Sequence, residues 1–543
     1  MPFRPSRRAM LGFLAGLGLA PGTALSQGAR TGARLVAQNG TLLVKRALLM
    51  QGPGGRLLVR VRVPETSAAI LGPGTQGAAQ RLLRRMASEG RAAGNHGDLY
   101  ENRDRGHSPL PQEKFPQLTH IEYDEELRAE RLDYGLAGPV LFDAPLIGNS
   151  STALKHGPFW RSQPRLALTQ GQWLPRLYQN YIAGQMHVYP EHRDHDPEHG
   201  DLIPAATPFF VISQGSSYSD QPHVRALAMA FAALRPETKA FLRANQLLAP
   251  TVQMILRRSL APVRAREDYR SGLAHPSVLP REQLNPARMV KLANALTPET
   301  VPPMVRLAVL SETEATEGVD FFGEGLSERF FDTPVAIARV WRSFVARRSM
   351  VVSAEATRDP AGRSPQFHWR VLRGDPDRTR VEPLDARGLR ARITVDWQPP
   401  RPVPGRRDIL SNRVDIGVFA TNGAFDSMPG LISILLPQHE TRVYAPGPDG
   451  VPRIVSRDLA VPEGGYADPF LYPRAEWRDV YRRDDAGEIT GWDREGPDGT
   501  TRFDAAGRLI TPDGPVAVRH VIEREPETLP RLVLRRPDAP AAE

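Results

Sequence analysis

Hydrophobic and polar positions alternate through residues 30–65, most clearly in Leu57-Leu58-Val59-Arg60-Val61-Arg62-Val63, and this predicts strands. Over 76–93 the period becomes helical. Ala79, Leu82, Leu83 and Met86 fall on one face, Arg81, Arg84 and Arg85 lie elsewhere, and Gly94 ends the run. Pro222 and Pro236 each stand at the first turn of a run of helix formers, 226–234 and 238–248. Thr297-Pro298-Glu299 and Asp332-Thr333-Pro334 carry the same start signal. After the second, Val335, Ala338, Trp341, Phe344 and Val345 mark the apolar face of a helix ending near Arg347. Residues 95–222 follow neither period for long and read as a loop-rich tract dense in His, Asp, Asn, Pro and aromatics.

From Ser349 the period is two. Val351-Val352-Ser353-Ala354 leads to the turn Asp359-Pro360-Ala361-Gly362; Phe367 to Val371 and Ala391 to Val395 are strands. Val414, Ile416, Val418 and Ala420 then alternate with Asp415, Gly417, Phe419 and Thr421 up to a turn at Asn422-Gly423, before Ile432, Ile434 and Leu436. A small-residue strand, an Asp-Pro-x-Gly turn, a Trp-bearing strand and a late strand ending in Asn-Gly resemble the polycystic-kidney-disease type of immunoglobulin-like sandwich found in exported bacterial proteins. The resemblance covers about 350–437. It departs from that type after Trp369, where Arg370-Val371-Leu372-Arg373 replaces an Asp, Phe and Gly-rich segment. It implies a spacer or adhesive module and no particular chemistry.

The expected fold class is therefore multidomain α+β: a mixed, loop-rich main domain with a helical block over 27–348, a β-sandwich over 349–437, and a β-hairpin-rich C-terminal region over 438–543. In that last region 485–492 and 504–509 are two similar short units that resemble the turn-strand units of Tyr-Asp-repeat proteins, and a disordered tail begins at about Pro537.

Residues 1–26 read as an export signal. Ser6-Arg7-Arg8-Ala9-Met10-Leu11 precedes an apolar run to Ala20, too short to span a bilayer, and Ala24-Leu25-Ser26 offers a cleavage site. The paired arginines resemble a twin-arginine signal. That implies the twin-arginine machinery as partner of the precursor and a periplasmic or secreted mature chain without a transmembrane segment. The 543 residues include no cysteine, which excludes disulfides, thiolate metal sites and a Cys nucleophile. The net charge of +9 is scattered and comes almost wholly from arginine, so it does not form a nucleic-acid groove.

Candidate chemistry lies in 95–222. Four of the 13 histidines fall in His187-Val188-Tyr189-Pro190-Glu191-His192-Arg193-Asp194-His195-Asp196-Pro197-Glu198-His199-Gly200-Asp201. His192, Asp194, His195, Asp196, His199 and Asp201 have the donor types for one divalent metal: Zn, Mn, Fe or Ca. His192, His195 or His199 with Asp194, Asp196 or Glu191 suit acid–base work. A solvated polar loop explains the same residues. Ser216 and Ser217, in the Ser/Gly stretch between Phe210 and Pro222, stand where a helix start attracts anions, or they flank a plain cap made by Ser219 or Asp220. Ser150 and Ser151 need a histidine base such as His107 or His156 to act as nucleophiles, and otherwise form a turn. Arg103 and Arg105 suit a carboxylate or sulfate, and Trp160, Trp173 and Tyr189 suit a sugar face or ordinary packing. Two readings stand side by side. One is an exported hydrolase or lyase, metal-assisted if the loop binds a cation, acting on a glycan or other extracellular polymer. The other is a non-enzymatic binding or envelope-scaffold protein with a structural cation or a plain loop.

Overall fold

The computed structural model describes residues 34–153, 160–461, 467–469, 471–525 and 528–537. The export signal, His156 and the tail beyond Pro537 lie outside them.

The tract read as loops contains the central sheet. Six short strands, β1 (Thr41–Val44), β2 (Leu99–Arg103), β3 (Thr119–Tyr123), β4 (Leu146–Ser150), β5 (Gln185–Glu191) and β6 (Val211–Gln214), form one all-parallel sheet in the order β1-β3-β2-β4-β5-β6. Parallel strands buried on both faces normally read as apolar runs. These instead carry Glu101, Asn102, Arg103, Asn149, Ser150, His187 and Glu191 near their carboxyl ends, so the apolar run is cut short and the strand period is lost. From β2 the chain winds outward to β3, then returns to the other side of β2 to place β4. The reversal between β2 and β4 is the point at which open α/β sheets form a crevice.

Helices α1 (Ala78–Ser88), α2 (Gln221–Ala233) and α3 (Pro286–Ala295) share one core with β4 and β5; ten residues of α2 are buried, so it is a core helix on nearly every side. The starts at Pro222 and Pro236 were legible. Thr297-Pro298-Glu299 opens no helix, and 335–347 is not helical either: Arg329–Thr333 and Ala336–Val340 form a hairpin. Thr333 Oγ1 bonds the carbonyl and amide of Ala336, closing the turn that a helix N-cap would otherwise open.

Ala336–Val340 pairs parallel with Gly430–Leu435. The sandwich is built from this five-stranded sheet and a four-stranded one (Ala308–Glu312, Arg347–Ser353, Arg390–Asp396, Thr379–Pro383), with Trp341, Val352, Trp369, Ile393, Ile416 and Ile432 between them. It therefore takes strands from well before Ser349. A seven-stranded antiparallel sheet follows over 441–516. Its two Asp-x-Ala-Gly units make the same turn: the Asp484 and Asp504 carboxylates each accept the amides two and four residues on. Helices and sheets together bear out a mixed α+β class. Among the described residues no helix is long and apolar enough to cross a membrane.

Candidate functional site

Three loops meet along the carboxyl edge of the parallel sheet. After β2, the backbone takes left-handed conformations at Arg105, Gly106 and Ser108; after β4 at Ala153; after β6 at Gly215 and Tyr218. Four of the seven described non-glycine residues with positive φ lie here. Such strain persists where the surroundings force it and is common at functional sites.

The loops are tied across the switch point. Tyr100 Oη donates to Asn149 Oδ1 at 2.9 Å and accepts the Leu110 amide at 3.0 Å. Asn102 and Asn149 both donate to the His107 carbonyl, at 2.8 and 3.2 Å. Ser108 Oγ donates to Asp220. Asp220 occupies the position before α2, yet its carboxylate makes no capping bond and turns to Ser108 instead.

Along this edge, buried polar atoms have no hydrogen-bond partner among the described residues: Asp104 Oδ2, with His107 Nδ1 3.7 Å away, Ser151 Oγ, Thr152 Oγ1, Glu191 Oε2, Gln214 Oε1 and Asp220 Oδ2, and His223 Nε2 one turn into α2. Buried polar groups are nearly always bonded, so a cluster of exceptions along one edge marks groups poised for something else. Burial pushes the Asp220 carboxyl up to about 6. Glu191 is pushed up to about 8, by burial first and then by the charge of Asp194. Burial also raises Asp104, and lowers His223 to about 4, so its imidazole is neutral. With Nδ1 donating to the Ser219 carbonyl at 3.3 Å, His223 keeps Nε2 as an acceptor.

Beneath the edge lies a fully bonded polar core. His187 Nε2 meets Glu101 Oε1 at 2.6 Å across β4, and Tyr123 Oη donates to Glu101 at 2.8 Å. Burial alone would raise Glu101, but Arg103 and His187 outweigh it and hold it at about 2. This crossing requires Gly148, since a Cβ there would sit 2.5 Å from the His187 ring.

The expected site residues fall in different places. Arg103 is no ligand clamp: it is buried, and it donates to Glu101 and to the carbonyls of Leu132, Tyr134, Gly135 and Leu136. Arg105 is exposed at the rim, over the Tyr134 ring at 4.7 Å. Ser216 and Ser217 are exposed in the β6–α2 loop. Tyr189 is buried and accepts the Ala137 amide; Trp173 donates to Gln170. Trp160 packs on His199, with Arg165 and Arg193 over its ring.

The His/Asp loop does not converge on one point. Asp194 accepts from Ser162 and Arg165. Asp201 is held by Arg373, Arg413 and Ser277. Burial would raise Asp201, but the two guanidiniums hold it well below the usual carboxylate range. His195 Nδ1 lies 3.5 Å from Asp201, His199 pairs with Asp196 at 3.1 Å, and His192 is exposed. Among the described residues no group of three or more His, Asp and Glu is placed to hold a metal ion. Of the acids singled out in the sequence, only Glu191 lies on the carboxyl edge. Asp104, Ser108, Asn149, Gln214, Asp220 and His223 were not singled out. Asp220 read as a cap, and only its alternation with Ser and Gln before Pro222 hinted at a loop end.

No family model matches the chain, and no curated protein does. A solved structure with partial likeness is a nucleoside hydrolase-related hypothetical protein from Saccharophagus degradans, described as associated with carbohydrate metabolism. It is 9% identical, with 70% of this chain and 92% of that chain covered and a TM-score of 0.22.

Proposed function

We propose that the carboxyl-edge crevice is the catalytic cleft of an exported hydrolase whose substrate is rich in hydroxyl groups, of the sugar type. The carrying observation is the row of buried, unpartnered side-chain atoms on Asp104, Ser151, Thr152, Glu191, Gln214 and Asp220. The oxygens of Asp104, Gln214 and Asp220 are acceptors for substrate O–H groups, and the hydroxyls of Ser151 and Thr152 and the carboxyl of Glu191 donate in return. A site built this way rejects ligands that leave its buried groups unbonded.

Asp220 is the proton-handling group in this reading. A carboxyl lifted to about 6 exchanges its proton near neutrality, the range a general acid or base needs. Ser108 fixes its orientation. Glu191, lifted to about 8, is protonated at neutral pH and donates to a leaving or bridging oxygen; the amides of Arg193 and Asp194 on Oε1 leave Oε2 for that proton. The neutral His223 and the Asn102 and Asn149 amides hold the surrounding loops in place.

The test is a screen of mono-, oligo- and polysaccharides and aryl glycosides, read as thermal stabilisation and as reducing-end release, on the mature chain and on Asp220→Asn. Hydrolysis of a member of the panel that falls by about a hundredfold or more in Asp220→Asn, while binding persists, supports the assignment. Hydrolysis unchanged by Asp220→Asn and Glu191→Gln would place the chemistry elsewhere.

A further inference from the structure

A second set of unmet donors lies where the sandwich meets the C-terminal sheet. There a partly open cleft of about 30 Å³ is walled by Phe322, Tyr472 and Trp477 and floored by charged side chains. That volume holds one small polyatomic group.

The charges of the floor do not balance. Glu440 serves two guanidiniums at once: Arg457 through Nε and Nη2, at 3.0 and 2.6 Å, and Arg442 at 2.9 and 2.8 Å. Asp479 is taken by Arg494, at 2.7 and 2.9 Å. Among the described residues the Arg342 guanidinium donates to carbonyls alone, those of Ser327 and Leu471, and bonds no carboxylate. Arg348 and Glu328 nearby satisfy each other, and Asp468 is occupied by Arg161 and Arg165. Four arginines thus face two carboxylates. Burial drags Arg342 down to about 10, as expected of a cation without a counterion.

Bonds are missing as well as charge. Nη2 of Arg342 and Nη1 of Arg457 make no hydrogen bond among the described residues, and the buried Tyr472 hydroxyl has no partner. All three residues line the cleft. Arg494 lies over the Trp477 ring at 4.0 Å, and Phe322 and Tyr472 add further aromatic lining.

We infer that this cleft is a binding site for an oxyanion, a phosphate or sulfate group, received by Arg342, Arg457 and Tyr472. Guanidinium to oxyanion is among the strongest hydrogen-bonded pairings, and here it supplies both the missing charge and the missing acceptors. The aromatic wall accommodates a sugar ring carrying the anion, so the anion has two sources: free in solution or borne on a saccharide. The site stands apart from the carboxyl-edge crevice and does not depend on the reading given there.

Calorimetric titration of the mature chain with inorganic phosphate, at fixed ionic strength against chloride, tests the site. The expected result is saturable binding with Kd on the order of 1 mM, weakened about tenfold in Arg342→Gln and about threefold in Tyr472→Phe. Tyr472→Phe removes one unpartnered hydroxyl and decides the matter even if Arg342→Gln fails to fold. A parallel titration with glucose 6-phosphate separates the sources: tighter binding than inorganic phosphate assigns the site to an anionic sugar, equal binding to the free anion. Absence of saturable phosphate binding, or affinity unchanged in Tyr472→Phe, overturns the inference.

Discussion

The His/Asp loop after β5 and the carboxyl-edge crevice are both polar, both buried in large part, and joined at Glu191. They differ in how their polar atoms are used. In the loop, Asp194 and Asp201 are surrounded by Ser162, Arg165, Ser277, Arg373 and Arg413, and their oxygens are taken. Along the carboxyl edge, Glu191 and Asp220 each keep an oxygen that no described residue bonds. A dense run of His and Asp therefore marks a structural latch, while a scattered set drawn from four strand ends marks the candidate site. Residue types show what chemistry is available; only the bonds left unmade show where it is free to act.

The comparison breaks first at Asp220. If the crevice is catalytic, Asp220→Asn lowers turnover by about two orders of magnitude or more, measured on whichever saccharide the wild type cleaves. The loop responds in stability instead. Asp201→Ala leaves Arg373 and Arg413 to share Asp415 in the interior, and a loss of about 3 kcal/mol is expected in chemical denaturation. Between the two regions, Gly148→Ala pushes a methyl into the His187 ring where it bonds Glu101. The expected cost is about 1–3 kcal/mol by the same measurement.

The pH dependence sharpens the contrast. Asp220 binds its proton more tightly folded, at about 6, than its ordinary 3.8. The unfolded chain thus releases that proton first as pH rises from about 4, and its contribution to stability falls until about pH 6. Asp220→Asn removes the loss, so the variant gains about 3 kcal/mol over wild type above pH 6 and nothing near pH 3. Asp201 has the opposite sign: its depressed value contributes stability above the ordinary carboxylate range, lost as the pH falls far into acid. The smallest effect belongs to His192→Ala. Its side chain is exposed, and a change within about 0.5 kcal/mol and no loss of turnover are expected.

Much of the architecture was legible where a period or a start signal was intact. Amphipathic 76–93 became α1, the prolines at 222 and 236 opened helices, and the alternation over 414–421 became a strand with its turn after Thr421. The parallel sheet was not. Its strands are four to seven residues long, and β2, β4, β5 and β6 end in polar side chains, Arg103, Ser150, Glu191 and Gln214. That polarity erased the period. Val335 to Val345 misled for a different reason: in a strand buried on both faces nearly every position is apolar, Arg339 excepted, and a helical subset can be chosen from such a run. The residues proposed for the cleft fall within 95–222, but their grouping was not legible, since Asp104, Asn149, Glu191 and Asp220 are brought together by strand order, which no local spacing records.

The latch at Asp201 has a consequence for modularity. Asp201 comes from the chain leaving β5, whereas Arg373 and Arg413 belong to the sandwich, and Ser433 on a third strand donates to Asp415, which in turn holds Arg413. Cutting the gene between these parts would expose buried charges on both products, so neither piece carries a complete surface. The sandwich here is no bead on a string, free to be shuffled or lost. It has become a wall of the molecule it adjoins, and the two can only be inherited together.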